Sequence, residues 1–401
     1  MKEIAGGITA PQGFVAGGIA CGIKSEGLDL ALIKSEVEHT ALAAIFTKNT
    51  LAAAPVKVAR ETAAASRAQA IVANSGNANA GNGRKGLDDA RRMRTETAAA
   101  LGVEPNQVLI ASTGIIGHPL PIDRISAALP KLTGRLSRAG GADAAQAIMT
   151  TDTRPKQYAV ELEIGGIPCR IGGIAKGAGM IAPNLATMLV FLSTDVHADP
   201  KPLGSALKAV AEATFNQMTV DNCQSTNDTV AILANGAAGN KLIRQETSAG
   251  YIAFTEALEQ VCLNLMKQLL RDAEGATKVI SVHVVEAENA KEARTLARAV
   301  ACSDLFRCAV YGADPNWGRI VSAMGSTGIS IFENALAIRF GEHVVVEKGA
   351  PVPQPPESVV EYLQGSEIEV TISLGIGRGR GRAYTCDLTE GYIRINAHYH
   401  T

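Results

Sequence analysis

The 401-residue chain is poor in aromatic residues, with one Trp, seven Tyr and eight Phe. Few rings are therefore available to stack on bases. Neither charge is in excess, since 38 Lys plus Arg stand against 39 Asp plus Glu. Phosphate backbones and acidic membrane surfaces require a basic excess on some face, which argues against nucleic acid and membrane as the main partners. No stretch approaches the roughly 18 apolar residues of a membrane span, and the start, Met-Lys-Glu-Ile-Ala-Gly-Gly-Ile, lacks the basic and apolar segments of a signal peptide. Seven cysteines, at 21, 169, 223, 262, 302, 308 and 386, show no CxxC spacing. Reduced thiols in a cytoplasmic protein, with no metal site, are the simplest account.

What is present is ordinary globular material, 46% apolar and rich in alanine and glycine, enough for two or three domains or one large layered one. Short β-rich runs alternate with amphipathic helical ones, which reads as mixed α/β. The predicted strands are Ala70–Asn74, Gln107–Ser112, Gln157–Ile164, Met188–Thr194, Thr229–Asn235, Val279–Val285, Leu305–Tyr311, Ala335–Phe340, Glu367–Leu374 and Tyr392–Asn396. Phe254, Leu258, Val261, Leu265 and Leu269 step by three or four and predict one long helix over Tyr251–Ala273, with Gly275 as its stop. Leu203–Met218 and Ala290–Ser303 follow the same rule. The proline-rich stretch from Lys348 to Pro356 reads as a linker ahead of a small C-terminal β-rich part.

The most unusual segment runs Gly172-Gly-Ile-Ala-Lys-Gly-Ala-Gly-Met-Ile-Ala-Pro-Asn-Leu-Ala-Thr187, a glycine-rich loop with one lysine that turns at a proline into an apolar strand. Taken alone, Thr187 reads as a buried threonine opening that strand. A sharper reading makes it a nucleophile. A threonine hydroxyl needs an adjacent base, and none of the seven histidines is close in sequence. Cleavage between Ala186 and Thr187 would free an α-amino group with a pKa near ~8 beside the hydroxyl. Such chemistry also needs oxyanion donors, and the Gln107–Ser112 strand ends in Thr113-Gly114, which offers a hydroxyl and a backbone N–H. A plain strand-terminating turn fits those two residues equally well.

These segments, together with Phe46-Thr-Lys-Asn, Ala73-Asn-Ser-Gly-Asn-Ala-Asn-Ala, Met149-Thr-Thr-Asp-Thr-Arg-Pro-Lys, Ser225-Thr-Asn-Asp-Thr, Glu274-Gly-Ala-Thr-Lys, Asp314-Pro-Asn-Trp-Gly-Arg and Tyr392-Ile-Arg-Ile-Asn-Ala, resemble the ornithine acetyltransferase (glutamate N-acetyltransferase) family of arginine biosynthesis. The matches span almost the whole chain in the family's order. The resemblance implies self-cleavage into residues 1–186 and 187–401, with Thr187 as nucleophile and Thr113 and Gly114 as the oxyanion hole. It also implies an amino-acid pocket of Thr153, Lys176, Thr187, Glu274, Asn396 and Thr401. Transfer of acetyl from N-acetylornithine to glutamate through an acetyl-Thr187 ester follows from the same likeness, with acetyl-CoA as a possible co-substrate and no cofactor. The implied fold is an αββα sandwich over about 1–280 with a smaller C-terminal α/β portion over 281–401, assembled as a heterotetramer of two α and two β pieces.

An N-terminal-nucleophile amidase or aminopeptidase of the same fold is the main alternative, and a non-enzymatic scaffold the other. Around Lys176 the GxxxxGK[ST] spacing of a phosphate loop is missing. Gly375-Ile-Gly-Arg-Gly-Arg-Gly-Arg reads as a hairpin tip, Trp317 as a core anchor, and His398 with His400 as a tail rather than a metal site. Three positions depart from the family's pattern: Asn222-Cys-Gln stands where a glycine-acid turn is usual, the two tail histidines replace an acid and an arginine, and Gly81 replaces a frequent cysteine.

Overall fold

The computed structural model describes residues 1–182, 188–353 and 357–398. Its contacts divide the chain into two units, Met1–Asn216 with Cys223–Leu269, and Gln217–Asn222 with Leu270–His400.

The first unit contains β1 (Lys2–Ile4), β2 (Phe14–Ile19), β3 (Leu30–Ser35), β4 (Ala41–Phe46), α1 (Ala54–Ala64), β5 (Ala70–Asn74), α2 (Gly83–Leu101) and β6 (Val108–Ser112). It continues through α3 (Ile122–Thr133), α4 (Gly141–Ala147), β7 (Lys156–Ile164), β8 (Ile167–Lys176), β9 (Leu189–Thr194), α5 (Pro200–Ala213), β10 (Thr229–Ala234) and α6 (Ala249–Arg271). Two sheets form, one ordered β1-β7-β8-β9-β10-β4 and the other β2-β3-β5-β6. Alternation along the strands fixes what each face meets. Ala31, Ile33, Leu109 and Ala111 pack with Ile174, Leu189, Phe191 and Ala231 of the facing sheet. Leu30, Leu32, Val108 and Ile110 point the other way, against Val58 of α1, Met93 of α2 and Ile125 and Leu129 of α3. With α5 and α6 on the far side of the larger sheet, the layers run αββα, as the resemblance implied.

Glycine permits this closeness. A Cβ on Gly172 would lie 1.9 Å from the carbonyl oxygen of Gly7. Gly172 and Gly173 therefore belong to β8, and the glycine-rich loop expected from Gly172 onward is strand as far as Lys176. The turn between β7 and β8 is Gly165-Gly166, both at positive φ, as a tight hairpin requires.

The second unit contains β11 (Val279–Ala287), α7 (Ala290–Ala301), α8 (Asp304–Tyr311), α9 (Trp317–Gly325), β12 (Ala337–Phe340), β13 (His343–Glu347), β14 (Ala350–Pro351), α10 (Glu357–Leu363), β15 (Glu367–Ser373), β16 (Gly379–Cys386) and α11 (Glu390–His398). Its sheet order is β14-β13-β12-β15-β11-β16. Val282, Val284, Val370 and Phe340 of that sheet meet Leu296, Val300, Phe306 and Ile320 of the helices, and Trp317 packs at the margin of this core.

Several expectations fail here for identifiable reasons. Leu305–Tyr311 is helix, because Ser303 caps a new start by accepting the Phe306 N–H and because Phe306, Ala309 and Val310 bury at helical spacing. Tyr392–Asn396 lies inside α11, which Thr389 opens by accepting the Gly391 N–H at 3.0 Å. The proline-rich stretch is no domain boundary, since β14 within it pairs with β13 inside one unit. Gly375–Arg382 is no hairpin tip either. β15 and β16 flank β11 on opposite sides, so Gly375–Arg378 crosses over its end and Gly379–Arg382 is already β16. Among the described residues no helix is long and apolar enough to cross a membrane.

Candidate functional site

Strand pairing assembles the site. β5 and β6 run parallel, so their ends place Asn74 beside Ser112, whose hydroxyl donates to Asn74 Oδ1 at 2.6 Å. The next residue, Thr113, donates its N–H to the Asn74 carbonyl at 3.0 Å. Gly114 then turns at φ +129°, and a Cβ there would lie 2.3 Å from the carbonyl carbon of Gly76. Only glycine fits this turn.

Lys176, the last residue of β8, is paired with Leu189 of β9 and is 2% exposed. Its ammonium donates to Thr150 Oγ1 at 2.7 Å and to Thr113 Oγ1 at 3.3 Å. Because Thr113 accepts in that bond, its own hydroxyl proton is not committed to any described residue. Lys176 Nζ also lies 3.9 Å from Asp152.

Asp152 anchors the cluster. It accepts from Lys156 Nζ at 2.5 Å, from the Gly177 N–H at 2.8 Å and from the Thr150 N–H at 3.0 Å. Burial alone would raise its carboxyl, but the charges of Lys176 and Lys156 and these hydrogen bonds bring it down to about 2. Two buried ammoniums thus share one carboxylate. A second acid, Asp228, is fully buried, with Oδ1 accepting the Met188 N–H at 2.8 Å. Burial pushes its carboxyl well above the usual range, against the pull of the Met188 amide, the nearby Thr47 hydroxyl and the Lys176 charge. Burial thus favours the protonated form of Asp228.

The expected residues distribute unevenly. Thr113, Gly114 and Lys176 come together in the first unit. Thr153 follows Asp152 directly and is exposed. Glu274 and Asn396 belong to the second unit, where Asn396 Nδ2 donates to Glu274 Oε2 at 2.8 Å. Their pairing rests on Gly275, at φ +71°, whose missing Cβ would lie 2.3 Å from Tyr392 N. Ala186, Thr187, Thr401 and His400 lie outside the described residues. Asp152, Lys156, Thr150, Asn227 and Asp228 had no expected role, although each falls in a motif that carries the resemblance. Among the described residues no group of His, Cys, Asp and Glu could hold a metal ion, and all seven cysteines are free thiols.

Fold and site together define a layered αββα protein that gathers threonine hydroxyls, a glycine turn and two buried ammoniums at its strand ends. The chain belongs to the ArgJ family, whose model matches residues 15–401. It is 46% identical over 404 residues to the arginine biosynthesis bifunctional protein ArgJ of Symbiobacterium thermophilum, covering the whole of both chains. The protein of the same name from Bacillus subtilis is 40% identical over 400 residues, covering 100% of this chain and 98% of that one. The crystal structure of the arginine biosynthesis bifunctional protein argJ from Bacillus halodurans is 41% identical with a TM-score of 0.52, covering 53% of this chain and 100% of that one.

Proposed function

We propose that the chain cuts itself between Ala186 and Thr187 and then transfers acetyl from N-acetylornithine to glutamate in arginine biosynthesis. The observation that carries this reading is the contact of the buried Lys176 ammonium with Thr113, which leaves the Thr113 hydroxyl proton and the Gly114 N–H as donors for an oxyanion. Family membership supports it. So does the length of the solved Bacillus halodurans chain, about half of this one, as one piece of a chain cut near its middle would be.

In the cleavage step the Thr187 hydroxyl oxygen attacks the Ala186 carbonyl carbon, the C–N bond breaks with its nitrogen taking the proton, and water hydrolyses the ester. In the transfer step the same oxygen attacks the acetyl carbonyl while the freed α-amino group takes its proton. Thr113 and Gly114 stabilise the tetrahedral oxyanion, worth about 3 kcal/mol per donor. Ornithine departs with the proton; the glutamate amine then attacks the acetyl ester, the acyl C–O bond breaks, and the amine's proton passes by way of the α-amino group to the Thr187 oxygen, restoring the hydroxyl. This chemistry uses no metal or cofactor. Lys176 would meet a substrate carboxylate and Glu274 an ammonium, with Thr153, Asn396 and Thr401 completing the pocket. The name "bifunctional" of the relatives favours a second donor, acetyl-CoA. A cytoplasmic heterotetramer of two α and two β pieces is the assembly that accompanies this reading.

The intact mass of the purified protein tests cleavage. Two pieces, 1–186 and 187–401, are expected from the wild type and one whole, inactive chain from Thr187→Ala; two pieces from the variant would refute the assignment. Incubation of acetylornithine with and without glutamate separates transfer, which gives acetylglutamate, from the hydrolysis that an amidase would catalyse.

A further inference from the structure

The Ser225-Thr-Asn-Asp-Thr motif has no part in the acyl chemistry above, yet Asn227 and Asp228 are buried and tied to opposite sides of the site. Both amide protons of Asn227 are spent on backbone, on Ser112 O at 2.8 Å and Ala78 O at 2.7 Å. The Ser112 carbonyl belongs to the peptide bond whose N–H, that of Thr113, is held by Asn74 O. The oxyanion turn is therefore gripped at both ends of one peptide unit. Asn227 is itself immobilised: its Oδ1 accepts the Thr226 hydroxyl at 2.6 Å and its N–H donates to Ser225 Oγ at 3.0 Å.

The next residue reaches the other side. Asp228 Oδ1 holds the Met188 N–H, which belongs to the peptide bond closed by the carbonyl of Thr187. Its backbone carbonyl accepts the Thr47 N–H at 3.0 Å, and Thr229 N–H donates to Met188 O at 3.1 Å. Asp228 Oδ2 is buried with no hydrogen-bond partner among the described residues, because the nearby Thr47 hydroxyl donates to Ser225 O at 2.7 Å instead. An orphaned oxygen on a fully buried acid is costly and is not explained by packing.

We propose that Asn227 and Asp228 are a positioning pair: one side chain fixes the Thr113–Gly114 oxyanion turn, the next fixes the chain immediately after Thr187, and the peptide unit joining them sets the gap across which the acyl carbonyl must fit. This inference rests on Thr187 being the nucleophile. The Met188 N–H can be accepted by Asp228 Oδ1 in either protonation state, and burial favours the protonated one.

The test compares Asp228→Ala, Asp228→Asn and Asn227→Ala in the full chain, following cleavage by intact mass and transfer with acetylornithine and glutamate. Misplacement of a reacting group by about 1 Å costs on the order of 100-fold. Asp228→Ala is accordingly expected to slow cleavage and lower kcat of the cut enzyme by about 30-fold or more, with KM changed less than about threefold. Asp228→Asn keeps an oxygen for the Met188 N–H and is expected to recover about tenfold of that loss with the pH profile of the wild type. Asn227→Ala should lower kcat in the same way. An Asp228→Ala enzyme within about threefold of wild-type kcat overturns the pair, and so does an Asp228→Asn enzyme no better than Asp228→Ala, which would show that charge rather than geometry is used. Should Asp228→Ala fail to fold, unchanged kcat in Asn227→Ala still overturns the proposal and a KM-neutral loss supports it. A wild type that is uncut and inactive in the same assay refutes the Thr187 reading instead.

Discussion

Asp152→Asn removes one charge and almost no volume from a cluster in which two buried ammoniums share the Asp152 carboxylate. The Asp152 carboxyl lies at about 2 in the folded chain. Against about 3.9 unfolded, the carboxylate contributes about 2–3 kcal/mol at neutral pH. Removing one partner of a buried pair costs about 3–5 kcal/mol, because the opposite charge stays behind without water. About 3 kcal/mol is therefore the expected cost. The sign of the pH dependence follows from the depressed folded value. The stabilisation is complete above the unfolded value and is lost as pH falls through the folded one. Urea unfolding followed by circular dichroism at pH 7, 5, 4 and 3 should give a gap between wild type and variant that is constant from pH 7 to 5 and narrows below about pH 4. Equal stability at pH 7, or a gap that persists undiminished at pH 3, would refute the charge-sharing argument.

Gly114→Ala places a Cβ 2.3 Å from the Gly76 backbone at a left-handed φ, so it should cost about 1–3 kcal/mol and drop kcat by about 100-fold if the turn is an oxyanion donor; an unchanged kcat would remove the turn from the mechanism. Gly381→Ala meets the Arg294 backbone of α7 at 2.3 Å and should lower the stability of the second unit by about 1–3 kcal/mol with acetyl transfer unchanged at 25 °C, checked by melting and assay together. Thiol labelling of the native protein should show Cys223 and Cys308, the exposed cysteines, reacting first. Cys169, which burial pushes up to about 12, and Cys386, pushed up to about 11, should react only in denaturant. Rapid labelling of Cys386 would contradict the packing of the second unit.

Strands with β-branched interiors, such as β6, β7, β11 and β15, announce themselves in the sequence. Those rich in alanine or glycine, such as β2, β4 and the Gly172-Gly173 part of β8, do not, because the residues that weaken a strand signal are the ones that close layer packing demands. Gly18 is an instance: a Cβ there would lie 2.3 Å from the Asp143 carbonyl oxygen on α4. Short helices are the complementary failure. Over Leu305–Tyr311 an apolar run of strand length fits either period, and the deciding signal is the cap at Ser303 rather than the run itself.

Site residues obey a different logic again. Thr113 and Lys176 stand just where a strand runs out, and Asp228 just ahead of the strand that carries Thr229, so side-chain periodicity, which measures strand interiors, passes over all three. Asp152 and Lys156 are harder still. In sequence they are two charged residues in a polar turn, indistinguishable from a solvated surface until folding removes the water from both. Asp152 then ties the Gly177 and Thr150 backbone N–H groups and the Lys156 ammonium to one point, 3.9 Å from the Lys176 ammonium that reaches Thr113. Converting Lys156 to methionine removes the ammonium that donates to Asp152 at 2.5 Å and should lower stability in urea by leaving that buried carboxylate with one partner fewer, while the threonine and glycine donors stay in place.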